Sequence, residues 1–498
     1  MIYKSTRNPN NTLTASQAIL QGLSQDGGLF VPSDIPRLTN NWQELANYSY
    51  QEMAFYVLKE FLTDFSEDEL RACIQAAYDE KFDTPIIAPL VKVGTNYHLE
   101  LFHGPTIAFK DMALTILPYL MKTAAKINHN ESKIVILTAT SGDTGKAAMA
   151  GFADVEGTEI IVFYPKEGVS SIQERQMLTQ EGQNTHVVAI HGNFDDAQSK
   201  VKELFNDPVL REQLADHQLQ FSSANSMNIG RLFPQVVYYY YAYAQLIKAG
   251  TIQAGEEVNF SVPTGNFGNI LAGYYAQQTG LPIGQLICAS NDNTVLYDFF
   301  QTGTYDRNRP FELTISPSMD ILVSSNLERL IYHAVGEDSK ILSSLMNQLQ
   351  EEGHYHLESN YQVQLHDFLA EFASQGETLQ EIKEVYEESD YIMDPHTAVA
   401  SKAWRKLQDR EEVEANPTII ISTASPFKFP EAILDALTVD RSSLSDKDIL
   451  EKVSQLTGLD YPPAVEHLLE APILHNRLVD VASMKDEVLD ILNLNKGK

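Results

Sequence analysis

The sequence predicts an α/β fold in which helices cover both faces of a parallel sheet. From about residue 97, short apolar runs alternate with helical segments, and two of the runs pass through a polar, glycine-containing loop directly into a helix. Strands that alternate with helices pair in parallel, because each connecting helix packs back onto a face of the sheet. The seven runs are YHLELF, KIVILTAT, EIIVFYP, THVVAI, EVNFSVP, GQLICAS and PTIIISTAS.

The order of these patterns divides the chain into three regions. Residues 1–95 are expected to form a mainly helical domain, residues 96–430 an α/β region, and residues 431–498 a helical C-terminal extension. Three of the apolar runs lie at about 134–223 in an alternation of their own, which predicts a smaller α/β domain inserted into the larger one. A chain of 498 residues is long enough for roughly two to four domains, each with its own core.

The composition restricts the classes of partner. The formal net charge is −31, and nucleic acid is bound through clustered Lys and Arg, so nucleic acid is not an expected partner. The acidic field also repels small anions, so a phosphate-bearing ligand needs a helix N-terminus, backbone amides or single basic side chains. No apolar run approaches the roughly 20 residues that span a bilayer, so we expect a cytoplasmic protein without a membrane partner.

Cysteine and histidine usage argues against a metal site. Cys73 and Cys288 lie far apart and supply neither a disulfide framework nor a CxxC zinc motif, so both are expected to be core residues. His354 and His356 resemble a metal-binding pair, but no His or Cys cluster accompanies them. We therefore expect these histidines to be exposed residues of a helix.

One lysine has the surroundings of a reactive amine. Lys110 ends an otherwise uncharged run in HGPTIAFKD, residues 103–111. Partial burial lowers the pKa of a lysine, and a neutral amine attacks a carbonyl to form a Schiff base. The alternative is a structural ion pair between Lys110 and the adjacent Asp111.

The segment VNFSVPTGNFGNILAGYYA predicts a strand, a tight loop at 263–269 and a helix. Gly265 and Gly268 permit close approach of the backbone to a ligand, and the helix adds the positive end of its dipole. The spacing matches neither the Rossmann GxGxxG motif nor the P-loop, so the prediction is a phosphate site of another kind. An ordinary strand-to-helix turn is the alternative.

The segment KIVILTATSGDTGKAAMAG has the same arrangement. It fails the Walker motif, because Thr140 stands where the first glycine belongs and Ala147 where a magnesium-binding hydroxyl belongs. A polar loop at a helix N-terminus remains, in which Ser141, Asp143 and Thr144 are able to bind a ligand or simply to cap the helix.

Two further polar segments are candidates for ligand contacts. In SSANSMNIGRL, Asn228 and Arg231 have the i, i+3 spacing of one helix face, and an amide beside a guanidinium suits an oxyanion. A helix cap with a surface arginine is the alternative. The run PTIIISTAS places Thr423 at the carboxyl end of a strand, where open α/β sheets bind ligands.

HGPTIAFKD, TATSGDTG, VPTGNFGN, NSMNIGR and STAS, in this order, closely resemble the motifs of the threonine synthase family. The opening TRNPNNTLTASQAILQGLSQDGGLFVP is also similar to the N-terminal segment of that family. The resemblance covers nearly the whole chain. It implies fold type II of the pyridoxal-phosphate-dependent enzymes, and the conversion of O-phospho-L-homoserine and water into L-threonine and phosphate, the last step of threonine biosynthesis.

The resemblance also implies roles for single residues. Lys110 matches the catalytic lysine that holds pyridoxal 5'-phosphate as a Schiff base, Phe109 lies near its ring, and Thr423 matches the partner of the pyridine nitrogen. The residues around Asp143 lie near the substrate carboxylate and the cofactor's 3-oxygen. The cofactor phosphate is bound by Thr264, Gly265, Asn266, Phe267, Gly268 and Asn269. Candidate substrate contacts are Thr106, Ser141, Gly142, Thr144, Lys166, Asn228 and Arg231.

One departure from the family is visible, and two alternatives stay open. The chain reads TASPFKF where many members read TAHPAKF, so Ser425 replaces a histidine. The first alternative is another fold type II enzyme, such as a threonine or serine ammonia-lyase or a β-replacing synthase. The second is a threonine-synthase-like phosphate-binding protein without synthase activity. The expected oligomeric state is a monomer or a homodimer.

Overall fold

The computed structural model describes residues 1–140, 142–167, 169, 171–466 and 468–494. Its largest sheet contains, in spatial order, the strands Phe368–Phe372, Ile283–Ser290, Val258–Pro263, Thr418–Ser422, Asn96–Glu100 and Leu90–Val93. Neighbouring strands are parallel, except that Leu90–Val93 runs antiparallel to Asn96–Glu100. The prediction of a parallel sheet is confirmed, although the two edge strands were not predicted.

A second, five-stranded parallel sheet contains Arg477–Asp480, Thr185–His191, Thr158–Pro165, Lys133–Ala139 and Leu219–Ser222 in spatial order. Residues 133–222 supply four of these strands, and the C-terminal extension supplies Arg477–Asp480. The extension was predicted to be helical. Its helices are Asp446–Thr457, Pro463–Glu466 and Met484–Ile491, but the prediction missed the edge strand, whose short sequence RLVD carries two charges and no apolar run.

The N-terminal region begins with a small antiparallel sheet of Ile2–Ser5, Thr12–Thr14 and Phe30–Pro32. Its helices are Ala15–Gln21, Trp42–Leu45, Tyr50–Phe61 and Glu67–Ala77. Ser49 and Ser66 form capping boxes with Glu52 and Glu69, which explains why the two longer helices begin where they do. The helices confirm the helical prediction, and the sheet was missed because its strands have only three or four residues.

Helices cover the sheets of the α/β region, and a two-stranded antiparallel sheet of Thr304–Asp306 and His354–His356 lies beside them. Short 3-10 turns occur at Pro317–Met319, Val363–Leu365, Pro426–Lys428 and Val481–Ser483. The helices are Asp111–Leu114, Leu117–Ile127, Asp143–Phe152, Ser171–Leu178, Phe194–Asn206, Pro208–Asp216, Ile229–Lys248, Gly268–Gln278, Val295–Thr302, Leu327–Ala334, Ser339–Glu351, Ser359–Gln362, Gln375–Ser389, Pro395–Asp409 and Pro430–Ala436.

The helix Ile229–Lys248 joins the N-terminal region to the α/β region. Nearly every side chain of this helix is buried. The Phe61 and Phe233 rings stack with centroids 4.1 Å apart, and the rings of Tyr50 and Tyr241 meet edge to face at 5.2 Å. The tyrosine-rich run is therefore a packed helix, as its sequence indicates.

The structure tests the helix assignment of His354 and His356. His354 and His356 are exposed but lie in a strand of the two-stranded sheet, so their assignment to a helix was wrong. The described part of the chain contains no cluster of His, Cys, Asp and Glu side chains suited to a metal ion. Within the same residues, no helix has the length and apolar character needed to cross a bilayer.

His103 fastens the segment before Lys110 to two neighbouring elements. Its Nδ1 lies 2.6 Å from Asp83 Oδ1 and its Nε2 lies 3.0 Å from Glu100 Oε2. Burial opposes a charge on the ring, but hydrogen bonds and charge from the two carboxylates outweigh it and raise the pKa of His103 to about 9. His103 is therefore charged at neutral pH and links Asp83 to the strand Asn96–Glu100.

Replacing His103 by glutamine is expected to lower the free energy of unfolding by about 1–2 kcal/mol at about pH 6, because two half-buried ion pairs are lost. A raised pKa stabilises the folded state fully below the ordinary histidine pKa of 6.5, and this stabilisation disappears as the pH rises through about 9. Urea unfolding at about pH 6 and about pH 10 measures the difference between the variant and the unaltered protein, which should vanish at the higher pH.

The matched control is His366→Gln, because the His366 side chain is 73% exposed beside Asp367. This change should alter stability by less than about 0.5 kcal/mol at either pH. An equal loss of stability at both pH values for His103→Gln would contradict a charged His103.

Candidate active site

A cleft of about 200 Å³ lies where the carboxyl ends of the two parallel sheets face each other. Residues that follow strands Val258–Pro263 and Thr418–Ser422 line one side, and the end of strand Lys133–Ala139 lines the other. Open parallel sheets bind ligands at this edge. The cleft brings together many of the residues selected from the sequence, namely Phe109, Lys110, Asp143, Thr144, Arg231, Thr264, Gly265, Asn266, Phe267, Gly268, Asn269 and Thr423.

Lys110 reaches the cleft because its segment is fixed to the end of a central strand. The Phe109 N–H donates to the Thr423 carbonyl at 2.7 Å, which places the amine and Thr423 at the same edge of the sheet. Asp111 is not the partner of Lys110. It is buried and accepts bonds from the Thr106 N–H and hydroxyl at 2.8 and 2.6 Å, so the alternative of an ion pair between the two adjacent residues is wrong.

Lys110, Asp143 and Lys428 form a buried amine–carboxylate cluster. Lys110 Nζ lies 3.5 Å from Asp143 Oδ2, and Lys428 Nζ lies 3.3 Å from Asp143 Oδ1. Burial lowers the pKa of Lys110, and the positive charge of Lys428 lowers it further, whereas Asp143 opposes the change. Burial alone would raise the pKa of Asp143, but Lys428 and Lys110 outweigh it and hold that pKa well below its ordinary value. The cluster therefore places an amine of lowered pKa beside an ionised carboxylate.

Residues 264–269, here called the anion loop, lead into the helix Gly268–Gln278 without a side-chain cap. The Asn269 Oδ1 accepts from the Tyr238 and Tyr239 hydroxyls, whereas its buried Nδ2 has no partner among the described residues. A Cβ on Gly265 would lie 2.5 Å from the Ser318 carbonyl oxygen, so only glycine permits this packing. Uncapped amides, a free amide donor and the helix dipole together suit a phosphate group.

Phe267 contributes differently from the rest of the anion loop. Its φ of +64° places it in the left-handed region, and its side chain is buried with its ring 6.1 Å from that of Phe300. The side chain therefore packs into the core, and the backbone is the part able to contact a ligand. The Thr264 hydroxyl already donates a hydrogen bond within the protein, to the Val262 carbonyl at 2.8 Å.

Arg231 is a second centre of positive charge in the cleft, and Asn225 and Ser226 line the cleft with it. The Arg231 Nη1 donates to the Ala224 carbonyl at 3.0 Å, and its buried Nε has no partner among the described residues. Burial lowers the pKa of the guanidinium to about 10, so it stays charged at neutral pH. A buried cation with an unused donor is suited to an anionic group of a ligand.

Four predicted contact residues do not line the cleft. The buried Thr106 binds Asp111, and Gly142 lies just before the helix Asp143–Phe152 with φ of +136°. Lys166 is 48% exposed and pairs with Glu174 at 2.6 Å. Asn228 caps the helix Ile229–Lys248, whose first turn contains Arg231, and donates to the Ile19 carbonyl at 2.9 Å. A fifth candidate, Ser141, lies outside the described residues.

The cleft also contains residues that the sequence did not identify. Ser318 lies 3.3 Å from Lys110 Nζ, and Gln173 Nε2 donates to Asp143 Oδ1 at 2.9 Å. His396 lines the cleft, and Lys428 is fully buried behind Asp143. They come from four distant parts of the chain, so no local spacing connects them. Ser425, the departure from the family, accepts a bond from the Phe427 N–H at 3.3 Å and so forms a local turn.

Three family models match the chain in succession. Residues 2–78 match the threonine synthase N terminus, residues 82–424 match the pyridoxal-phosphate-dependent enzymes, and residues 397–491 match the threonine synthase C-terminal model. The second of these matches alone covers more than half of the chain.

Two groups of relatives, which carry different names, are similar to this protein over most of the chain. Threonine synthase-like 1 of Homo sapiens is 40% identical over 468 residues, which cover 91% of this chain and 62% of that protein. The chain thus spans less than two thirds of the length of that relative. The threonine synthase of Schizosaccharomyces pombe is 38% identical over 476 residues, which cover 89% of this chain and 90% of that one.

Solved structures agree with the sequence relatives. The pyridoxal-phosphate-bound threonine synthase from Brucella melitensis is 34% identical, with a TM-score of 0.87 over 99% of both chains. The threonine synthase from yeast is 32% identical, with a TM-score of 0.88 over 99% of both chains. The fold type II expectation is therefore confirmed, and the chain belongs to the threonine synthase family of pyridoxal-phosphate-dependent enzymes.

Proposed function

We propose that this protein is a threonine synthase that converts O-phospho-L-homoserine and water into L-threonine and phosphate. The observation that carries the proposal is the position of Lys110. Its amine is buried, bound by Asp143 and placed in the same cleft as the anion loop and Arg231. A reactive amine between two anion-binding groups matches a phosphorylated cofactor and a phosphorylated substrate.

The residues of the cleft fit pyridoxal phosphate. The anion loop with the free Asn269 Nδ2 would hold the phosphate, Lys110 would hold the aldehyde carbon, and Phe109 and Thr423 would hold the ring. When bound, this cofactor supplies an electron sink for carbanions formed next to an amino group. We propose that Asp143 stays ionised near the cofactor's oxygen substituent.

Lys110 would perform the proton transfers of the reaction. With substrate in the cleft, the amine of Lys110 would serve as a base for the substrate Cα and Cβ. Loss of both protons permits phosphate to leave from Cγ, and return of a proton to Cγ prepares Cβ for attack by water. The lowering of the Lys110 pKa by burial favours this alternation, because it eases release of the proton from the amine.

Arg231 would hold the phosphate of the substrate. The guanidinium is charged and buried, its Nε has no partner in the described part of the chain, and Asn225 and Ser226 offer neighbouring polar groups. Thr144 lines the opposite side of the cleft and is our candidate for the substrate carboxylate, with the N-terminus of the helix Asp143–Phe152. We assign Asn228 to positioning Arg231 through its cap, and Thr106 to positioning Lys110 through Asp111.

A second candidate function is that of a threonine-synthase-like protein without synthase activity. Proteins named Threonine synthase-like 1 are 40% identical to this chain, which favours keeping this candidate. The presence of Lys110, Asp143 and Thr423 in one cleft supports the synthase instead.

We further propose a cytoplasmic location and a monomer or homodimer. The two cysteines, Cys73 and Cys288, are buried and free, which suits a reducing compartment. Size-exclusion chromatography with light scattering distinguishes the two oligomeric states.

Replacing Lys110 by alanine is expected to give a folded, colourless protein that forms neither threonine nor phosphate from O-phospho-L-homoserine. The reason is that the covalent link to the cofactor and the base are both lost. Visible absorbance after supply of pyridoxal phosphate, thermal unfolding and quantification of both products measure the effect. Lys126→Ala, at a lysine that is 74% exposed, should match the unaltered protein. Threonine formation by the Lys110→Ala variant would exclude the assigned role.

Replacing Arg231 by alanine is expected to raise KM for O-phospho-L-homoserine by about a hundredfold, because a buried charge-assisted contact to phosphate is lost. Initial rates over a range of substrate concentrations give KM and kcat separately. Arg441→Ala removes an arginine that is 41% exposed and paired with Asp435, and should leave both constants unchanged. An unchanged KM in the Arg231→Ala variant would remove Arg231 from the substrate site.

A further inference from the structure

The 3-10 turn Pro317–Met319 contacts both the Lys110 amine and the anion loop. The Ser318 hydroxyl accepts from Lys110 Nζ at 3.3 Å and donates to Asp143 Oδ2 at 3.0 Å. On the other side, the Ser318 carbonyl oxygen lies so close to Gly265 that a Cβ there would be 2.5 Å away. A shift of this turn therefore displaces both the surroundings of Lys110 and the anion loop.

A buried histidine holds this turn in place. The Ser318 N–H donates to His396 Nε2 at 3.1 Å, and His396 Nδ1 lies 2.7 Å from Asp394 Oδ2. A ring nitrogen that accepts from an N–H carries no proton, so the neutral ring has its proton on Nδ1 and donates it to Asp394. The ring also packs on Phe429, with centroids 4.8 Å apart.

The Asp394 carboxylate is itself fixed by hydrogen bonds from His396 and Thr397. It is fully buried and caps the helix Pro395–Asp409, and it accepts from the backbone N–H groups of His396 and Thr397 at 2.9 and 3.1 Å. The Thr397 hydroxyl also donates to Asp394, and it accepts from the Thr423 N–H at 3.3 Å. The start of this helix therefore connects Thr423 and the Pro317–Met319 turn through one carboxylate.

We propose that His396 and Asp394 are positioning residues for Lys110. Asp394 fixes the ring so that Nε2 faces the Pro317–Met319 turn as an acceptor. The turn then holds Ser318 against the Lys110 amine and against Gly265 of the anion loop. This inference rests on the proposed synthase function for its kinetic readout. Among the described residues, neither His396 nor Asp394 is hydrogen-bonded to Lys110 or Arg231, so their loss should alter kcat much more than KM.

The test compares His396→Leu with His396→Gln. Leucine removes the acceptor and leaves the Ser318 N–H without a partner, whereas the Gln Oε1 is able to accept at about the position of Nε2. We expect kcat to fall about ten- to hundredfold in the leucine variant with KM changed less than about threefold. We expect the glutamine variant to recover kcat to within about threefold of the unaltered protein.

A second readout does not depend on turnover. The pH titration of the visible absorbance of the bound cofactor reports the surroundings of Lys110, and its midpoint should shift by more than about half a pH unit in His396→Leu and remain unchanged in His396→Gln. The control is His333→Leu. The His333 side chain is only 6% exposed, its Nε2 lies 3.0 Å from the Tyr275 hydroxyl, and it does not line the cleft. This variant should lose stability while keeping kcat and the titration midpoint.

The outcomes separate the two proposals. A His396→Leu variant with unaltered kcat and midpoint, or equal impairment of the leucine and glutamine variants, would overturn the positioning role. If the unaltered protein makes no threonine, the proposed function fails, and the titration alone decides the role of His396. If His396→Leu does not fold, Asp394→Asn replaces it, because the amide still caps the helix but no longer fixes the ring. The midpoint should then shift as expected for leucine, and an unchanged midpoint would overturn the proposal.

Discussion

The carboxylate of Asp143, shared between the amines of Lys110 and Lys428, is the interaction on which the site depends. Two cations beside one buried anion leave an excess of positive charge, and the charge of Lys428 adds to burial in lowering the pKa of Lys110. Lys428 is fully buried and also donates to the Thr106 carbonyl at 3.0 Å and to Gln176 at 3.1 Å. It therefore stays fixed, while Lys110 is free to react.

The fold brings these three side chains together because the strands that border the cleft are parallel within each sheet and end at the same cleft. Asp143 begins a helix that follows the strand Lys133–Ala139 of the smaller sheet. In the larger sheet, Val258–Pro263 and Thr418–Ser422 are neighbours, so the anion loop and Thr423 leave the sheet side by side. The C-terminal extension completes the smaller sheet through Arg477–Asp480 and thereby ties the two halves of the cleft to each other.

The sequence predicted the parts of this arrangement that are local. All seven apolar runs form strands of the two larger sheets. The anion loop lies at a strand-to-helix junction, and the spacing of Gly265 and Gly268 allowed this position to be predicted. Lys110 was recognisable because its uncharged neighbours indicate burial. For the segment around Asn228 the sequence left a helix cap and a ligand contact as alternatives, and the structure shows that Asn228 caps the helix Ile229–Lys248. Lys166 was selected as a cation, and its pairing with Glu174 at the surface is a matter of tertiary structure.

Other features depended on contacts between distant residues. Ser318, His396 and Lys428 are separated from Lys110 by more than 200 residues, and nothing in their immediate sequence indicates that they meet at one cleft. The edge strands Leu90–Val93 and Arg477–Asp480 were missed because their pairing, and not their composition, makes them strands.

The pKa of the Lys110 amine in the cofactor-free protein tests this arrangement most directly. It is measured from the pH dependence of the amine resonance in protein labelled with ¹⁵N-lysine, with Lys126 as an exposed reference. We predict a pKa below the ordinary lysine value of 10.5, and a rise in the variant Lys428→Met, because the charge of Lys428 lowers it. A pKa at or above 10.5 in the unaltered protein, or no response to Lys428→Met, would contradict the role of the buried cluster.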